Sequence, residues 1–138
     1  MQEIKVKGTI NAPAKKVWEK VSDFGNLHTF VDAIASCTTE ETENGIIRTL
    51  TLQDGGEVTE RLENLDNERR ILNYSIVDSP MPIRNYSGSM QVKEAGDNQS
   101  DFLWSSTFEV SEGSENEIKE ALEGLYSLGV EGLRKNFA

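Results

Sequence analysis

The chain has 138 residues, of which 24 are acidic and 14 are basic, so its formal net charge is -10 at pH 7. This charge repels phosphate backbones and anionic lipids, so we expect no nucleic-acid partner and no membrane insertion. The sequence shows no signal peptide, and its single cysteine excludes an internal disulfide and suits a reducing cytoplasm. We therefore expect one cytoplasmic domain over residues 1–138.

The first strand and a helical insert open the predicted fold. Apolar and polar residues alternate over residues 3–10, which predicts a strand with one covered face. In the insert, Pro13 suits a first helical position with Asn11 as its cap, and the apolar face of this helix ends at Gly25. A second short helix is predicted over residues 27–34.

Six further strands are predicted between the insert and residue 110. Their apolar and polar residues alternate with a period of two, which is typical of an antiparallel sheet with one covered face. The separating turn signals lie at residues 43–45, 54–56, 66–68, 79–82 and 96–98. The pattern therefore predicts a meander of hairpins.

A long amphipathic helix is predicted over residues 115–137. Ser114 fits its N-cap, acidic residues crowd its first turns, and two basic residues occupy its last turn. The apolar stripe consists of Ile118, Leu122, Leu125, Leu128 or Gly129, Leu133 and Phe137. Because a lone helix cannot hide such a stripe from water, we expect this helix to lie against the sheet.

Sequence motifs for chemistry are scarce. No glycine-rich phosphate loop, serine nucleophile elbow or metal-ligand spacing occurs, so we predict no cofactor and no metal site. His28 fits a solvated or helix-capping role, and Cys37 fits a small buried residue better than a nucleophile. A cavity between sheet and helix remains as the candidate site.

Small residues on the facing surfaces leave two interpretations open. The helix offers Ala121 and Gly129, and the sheet offers Gly88 and Ser106. They indicate either close packing of backbones or room for a ligand.

Glu60 favours the second interpretation. It shares strand parity with Val58 and Leu62, so it should face the helix, where an ionised carboxylate needs a partner or water. Arg48 is the expected partner, and two tyrosine hydroxyls should share this face. A partly hydrated pocket with a few polar anchors fits this set. The alternative is a bulged or twisted strand edge that lets Glu60 reach solvent.

The order of elements resembles the helix-grip fold of the START and birch-pollen-allergen superfamily, which includes bacterial polyketide cyclase/dehydrase-type proteins and plant abscisic acid receptors. Residues 10–18 and 21–24 are similar to the superfamily's first-helix pattern, and residues 59–70 and 85–86 resemble strands of the plant receptors. The resemblance implies an α+β fold: a seven-stranded curved antiparallel sheet wraps around a long C-terminal helix, with two short helices after the first strand.

The resemblance also implies a pocket. Glu60, Tyr86 and Arg48 match positions of a polar network around the ligand, whereas Val31 stands where the receptors use a lysine to pair with the ligand carboxylate. The gate is shortened to residues 54–57, and the latch at residues 81–83 lacks its His-Arg pair. Loss of that charge-assisted anchor implies a neutral or weakly polar ligand.

The sequence leaves two functions open. The first is non-catalytic binding of a lipid, polyketide or isoprenoid, and a domain with a collapsed cavity that acts only as an interaction module is a variant of it. The second is a cyclase or dehydratase, with Glu60 or a tyrosine moving protons. Arg48 should keep Glu60 ionised, which favours binding.

Residues 54–57 and 79–84 should border the mouth of the cavity, and the protein partner is unknown. The predicted ligand-binding residues are Val31, Arg48, Leu50, Leu52, Val58, Glu60, Leu62, Tyr74, Ile83 at the rim, Tyr86, Trp104, Phe108, Leu125 and Gly129.

Overall fold

Seven antiparallel strands form one curved sheet in the computed structural model, which describes residues 1–138. The strands are β1 (Gln2–Ile10), β2 (Ile34–Thr42), β3 (Gly45–Leu52), β4 (Glu57–Asp66), β5 (Ile71–Asp78), β6 (Ile83–Gly96) and β7 (Gln99–Val110). Their spatial order is β1-β7-β6-β5-β4-β3-β2. Strands β2 to β7 therefore form the predicted meander, and β1 pairs with the last strand.

The insert after β1 differs in detail from the prediction. Helix α1 spans Ala14–Val21, and Pro13 occupies its N-cap instead of its first helical position. The second short helix is present, but its predicted bounds, residues 27–34, are wrong, because it is a 3-10 helix that spans Phe24–Thr29. Ile34 already pairs with Leu52 of β3, so the extended ladder competes with helix at that point.

The long helix α2 spans Glu115–Asn136, close to the predicted bounds. The Ser114 hydroxyl accepts a hydrogen bond from the backbone N–H of Glu117, which confirms the predicted cap. The buried face of the helix is rotated from the predicted stripe. Tyr126 and Val130 are buried, whereas Leu128 is 47% exposed, because the 3.6-residue period aligns residues 122, 126, 129, 130 and 133.

The two α-helices cover different parts of the inner face of the sheet. Helix α2 packs on β1 and β7, and α1 packs on β6 and β7. No helix of the protein is both long enough and apolar enough to cross a lipid bilayer.

A bulge in β6 orients one residue of the candidate site. Between the pairs Arg84 with Glu109 and Ser87 with Thr107, two β6 residues oppose a single residue of β7. One of them, Asn85, has a positive φ of 53°, a conformation that asparagine tolerates well. The other is Tyr86, which is buried on the inner face.

Candidate ligand-binding site

A cavity of about 350 Å³ lies between the sheet and the N-terminal half of α2, so the fold has not collapsed onto the helix. Nineteen residues line it, and fifteen of these are hydrophobic. The β3–β4 loop contributes Asp54, and the β5–β6 loop contributes Ser79 and Met81. Both loops are those that the sequence predicts at the mouth.

Eight of the predicted site residues border this cavity. They are Leu50, Leu52, Val58, Glu60, Tyr74, Tyr86, Trp104 and Leu125. They come from β3 to β7 and α2, so the meander brings together side chains that are far apart in the sequence. Strand parity identified most of them, because alternate residues of a strand share one face.

The other six predicted residues lie outside the cavity wall. Arg48 is behind Glu60, and Phe108 is stacked behind Tyr86 with 6.1 Å between ring centroids. Leu62 and Ile83 pack at the edge of the core, where Met81 replaces Ile83 as the apolar residue of that loop.

Val31 and Gly129 form a packed contact instead of a cavity wall. A Cβ built on Gly129 would lie 2.7 Å from Cζ3 of Trp104 and 3.6 Å from Cγ2 of Val31. There is no room for a ligand at this contact, and a large residue at position 129 would collide with the indole ring. The placement of Gly129 at a cavity is therefore wrong.

Sequence reasoning missed several lining residues, of which Tyr126 is the most important. Leu27, Ala33 and Ile34 come from the insert and the start of β2, where the bounds of the predicted helix were wrong. Tyr126 lies four residues after Leu122 on the buried face of α2, and a four-residue step was the signal available.

Arg48 and Glu60 form the predicted ion pair at the edge of the cavity. The two residues are direct neighbours on β3 and β4. Arg48 Nε donates to Glu60 Oε1 over 2.8 Å, and Nη2 lies 2.6 Å from the same oxygen. Arg48 Nη1 also donates to the carbonyl of Phe24 over 3.1 Å. The guanidinium is thereby held away from the cavity, and only the carboxylate reaches the wall.

Glu60 is 5% exposed, although β4 has a register shift beside it. The alternative in which a bulge carries Glu60 into solvent is therefore wrong. Burial raises the pKa of Glu60, and this desolvation outweighs the lowering by the charge and hydrogen bond of Arg48. The expectation that Arg48 dominates this pKa is wrong, because a charge pair recovers only part of the lost hydration in an apolar site.

Three tyrosine hydroxyls meet between the sheet and α2, two from β5 and β6 and one from the helix itself. Tyr74 and Tyr86 are joined by a hydrogen bond of 2.8 Å, and Tyr86 is also bonded to Tyr126. Tyr126 donates to Ser106 Oγ, and Trp104 Nε1 donates to Tyr74 Oη, each over 2.8 Å. Burial raises the pKa of all three tyrosines, so they remain neutral at physiological pH.

The question of the small residues has a mixed answer. A Cβ on Gly88 would lie 2.2 Å from the Tyr74 ring, so Gly88 permits close packing, as Gly129 does. Ser106 serves as a hydrogen-bond partner, and only Ala121 borders the cavity.

A family profile matches the whole chain and shows to which protein family it belongs. The profile is that of "Polyketide cyclase / dehydrase and lipid transport", and it matches residues 1–138. The chain belongs to this family. Membership agrees with the superfamily resemblance found in the sequence.

Solved structures extend the comparison. The chain is 33% identical to the protein XoxI from Bacillus cereus, with a TM-score of 0.92 over 99% of this chain and 96% of that one. The ZhuI aromatase/cyclase from Streptomyces sp. R1128 superposes with a TM-score of 0.81 over 98% of this chain and 92% of that one. Its sequence identity is 16%, so this likeness shows the fold alone.

A plant receptor is similar to part of this chain. The abscisic acid receptor PYL7 of Arabidopsis thaliana is 33% identical over 87 residues, which are 60% of this chain. The match covers 41% of the receptor, so this chain spans less than half the length of that relative.

Proposed function

We propose that this family member is a binding protein for a mainly apolar, neutral or weakly polar small molecule of the lipid, polyketide or isoprenoid type. The observation that carries the proposal is the cavity of about 350 Å³ with fifteen hydrophobic residues among the nineteen that line it. Pockets for small organic molecules have volumes of roughly 300–1,000 Å³ and a few convergent polar groups in an apolar wall. Glu60 and the tyrosines are those groups here.

The charges around the cavity support a neutral ligand. No lysine, arginine or histidine lines the wall, and Arg48 is already paired with Glu60. Val31, at the position of the receptor lysine, is fully buried in the core. A ligand carboxylate would therefore lose its hydration without gaining a cationic partner, which is unfavourable in an apolar site.

Native mass spectrometry of the protein purified from its own source tests this proposal. We expect a neutral small molecule to co-purify with the wild type and to be absent from Ala121→Trp, in which an indole at the exposed edge of the cavity obstructs it. Glu123→Trp is the matched control, because Glu123 is exposed on the same helix and does not border the cavity. Retention of the molecule by Ala121→Trp would contradict the cavity as its site.

A cyclase or dehydratase activity is the second candidate, and one observation favours it. The raised pKa of Glu60 moves this carboxyl towards the range of a general acid or base. Candidate polyketide substrates should be incubated with the wild type and with Glu60→Gln. No turnover by the wild type agrees with binding alone. A loss of turnover of about a hundredfold in Glu60→Gln, with unchanged affinity, would establish the enzymatic role.

A further inference from the structure

One part of the cavity wall, the aromatic end, consists of Tyr74, Tyr86, Trp104 and Tyr126. Trp104 Nε1 donates to Tyr74 Oη, and Tyr126 Oη donates to Ser106 Oγ, each over 2.8 Å. Tyr74 and Tyr86 share a hydrogen bond of 2.8 Å, and Tyr86 shares another with Tyr126. All five residues are buried. The hydrogen bonds therefore form one continuous chain from the indole to the serine.

The two ends of this chain fix the direction of its hydrogen bonds. A hydroxyl has one proton, and that of Tyr126 is used on Ser106, so Tyr86 is the donor to Tyr126. The proton of Tyr86 is then also used, so Tyr74 is the donor to Tyr86. The indole N–H of Trp104 can only donate, and it is used on Tyr74. Every polar hydrogen of the aromatic end is therefore engaged within the chain.

The proton that remains belongs to Ser106, which does not border the cavity. Ser106 borders a separate pocket of about 160 Å³ that no hydrophobic residue lines. The last proton of the chain is therefore on the side of this polar pocket. Towards the cavity, the aromatic end presents rings and hydroxyl oxygens, which can accept a hydrogen bond, but no free donor.

Free donors are found at the mouth of the cavity. Ser79 Oγ accepts a hydrogen bond from the backbone N–H of Met81, which leaves the proton of this hydroxyl available. Gln53 donates one amide hydrogen to the carbonyl of Asp32 over 3.1 Å and has a second one to offer. Gln53 and Ser79 border the cavity and are accessible to solvent. A ligand carbonyl can be satisfied here, whereas at the aromatic end it would lose water and gain no donor, which is unfavourable.

We propose that the aromatic end takes the hydrocarbon part of the ligand and that any ligand carbonyl lies at the mouth. The ligand is a hydrocarbon-rich molecule of the lipid or isoprenoid type, with its polar group at one end. A polyketide carries carbonyls at regular intervals along its chain, so it would place some of them where the wall has no donor. This inference rests on the proposed binding function and narrows it to the lipid and isoprenoid classes.

Equilibrium dialysis with two isomeric ketones tests this orientation. The carbonyl of 2-nonanone is near one end of the chain and that of 5-nonanone is at its centre, so the probes differ in where the acceptor lies and hardly in size. We expect 2-nonanone to bind about threefold more tightly or better, because its carbonyl can stay at the mouth while its chain enters the aromatic end. Equal affinities, or tighter binding of 5-nonanone, would overturn the inference and leave the binding function intact. Binding of neither ketone would overturn both.

Removal of a tyrosine hydroxyl should add a donor to the cavity. In Tyr74→Phe, the N–H of Trp104 loses its acceptor. In Tyr86→Phe, the hydroxyl of Tyr74 loses its acceptor, and in Tyr126→Phe the hydroxyl of Tyr86 does. Because each freed group belongs to a residue that borders the cavity, 5-nonanone should bind each variant about threefold or more tightly than the wild type. Weaker binding of 5-nonanone to the folded variants would show that the tyrosines donate to the ligand and would overturn the inference.

Ser106→Ala extends the test without changing a residue of the cavity wall. Tyr126 loses its acceptor, so its proton becomes available to the cavity and 5-nonanone should again bind about threefold or more tightly. Ser100→Ala is the matched control and should leave the affinity unchanged, because Ser100 is fully buried but belongs to neither the chain nor the cavity wall. A thermal melt of each variant establishes that it folds, and Ser106→Ala decides the question if the tyrosine variants do not. An unchanged affinity in Ser106→Ala would overturn the inference.

A double change separates the tyrosine chain from Glu60, which also borders the cavity. Arg48→Met with Glu60→Leu removes this carboxyl together with its counter-charge and leaves the chain of hydrogen bonds intact. The preference for 2-nonanone over 5-nonanone should therefore persist in the double variant. Loss of the preference there would assign it to Glu60 instead of the tyrosine chain and would overturn the inference.

Discussion

The two halves of α2 meet the sheet in different ways. In the N-terminal half, Ala121, Leu122, Leu125 and Tyr126 border the cavity. In the C-terminal half, the helix backbone approaches the core so closely that a Cβ on Gly132 would lie 1.7 Å from the Phe30 carbonyl oxygen. Glycines in close contact with the core therefore mark the packed half, whereas in the open half Ala121 borders the cavity and Gly124 has nothing within 4 Å of an added Cβ.

This difference shows how the fold keeps a cavity beside a rigid core. Close contact at Gly129 and Gly132 fixes the C-terminal half of the helix against Trp104 and the insert. The other half then stands off the sheet, and its side chains do not fill the intervening space. A packed region that positions a helix can thus stabilise an unfilled one next to it.

The largest expected effect is in the packed half. Gly132→Ala should lower the free energy of unfolding by about 3 kcal/mol or more, because the new methyl group collides with backbone that cannot rotate away. Chemical denaturation measures this loss. The matched change Gly124→Ala has nothing within 4 Å of the new Cβ and should stabilise the same helix by about 0.5–1 kcal/mol. Similar effects at both positions would remove the distinction between the halves.

The cavity side of the molecule should also be sensitive to mutation at the ion pair between Arg48 of β3 and Glu60 of β4. Glu60→Ala should lower the free energy of unfolding by about 3 kcal/mol, because Arg48, which is 1% exposed, would be left buried without its counter-charge. The double change Arg48→Met with Glu60→Leu removes both charges and should recover most of this loss. Denaturant titration of the three proteins tests the claim, and a double variant no more stable than Glu60→Ala would contradict it.

The free energy of unfolding should depend on pH through the titration of Glu60. Its folded pKa is raised, so the folded protein keeps this proton to higher pH than the unfolded chain, whose glutamate pKa is about 4.3. Stability should therefore fall as pH rises through the interval between these two values. The slope is at most about 1.4 kcal/mol per pH unit. The neighbouring tyrosines, whose pKa values burial raises, stay neutral in this interval.

Thermal and denaturant melts of the wild type and Glu60→Gln between pH 4 and 8 measure this effect. The difference between the two proteins cancels the many surface carboxylates. A difference that grows in favour of the wild type with rising pH would show that Arg48, not burial, controls this carboxyl.

The open half should tolerate a large side chain. Ala121→Trp should change the free energy of unfolding by less than about 1 kcal/mol, because Ala121 is exposed at the edge of the cavity and the indole overpacks nothing there. Glu123→Trp, on the exposed face, serves as the control for helix propensity and solubility. A loss of several kcal/mol in Ala121→Trp alone would mean that the cavity closes in solution.

The smallest effect is expected at the mouth. Residues 54–57 form a turn held by hydrogen bonds from Gly55 N to Leu52 O and from Leu52 N to Gly56 O. Hydrogen exchange of this turn should slow when a mainly apolar, uncharged probe such as 2-naphthol is bound, because Asp54 and Leu52 border the cavity. The turn at residues 96–98 lies at the far end of β6 and should be unaffected. Protection at residues 96–98 without protection at 54–57 would place the mouth elsewhere.

Most of the fold could be predicted because its signals are local. Strand alternation and the 3.6-residue stripe depend on each segment having one covered face, whichever partner covers it. The bounds of the second short helix could not be predicted, because short segments carry few periods and the pairing of Ile34 with Leu52 overrides the helical pattern there. One domain, a cytoplasmic location and no nucleic-acid partner remain predictions.

The candidate site was likewise predictable in part from the sequence, and the rest depended on the tertiary structure. Parity alone placed Glu60 beside Arg48 and two tyrosines on the inner face, since neighbouring strands in register align side chains of equal parity. Whether a small residue meant room or contact depended on the distance between helix and sheet, which no single segment encodes. Only the tertiary structure decided that Gly129 is packed, that Tyr126 completes the hydroxyl chain, and that burial outweighs Arg48 at Glu60. Distances and desolvation belong to the assembled molecule, because they arise only when separate elements exclude water together.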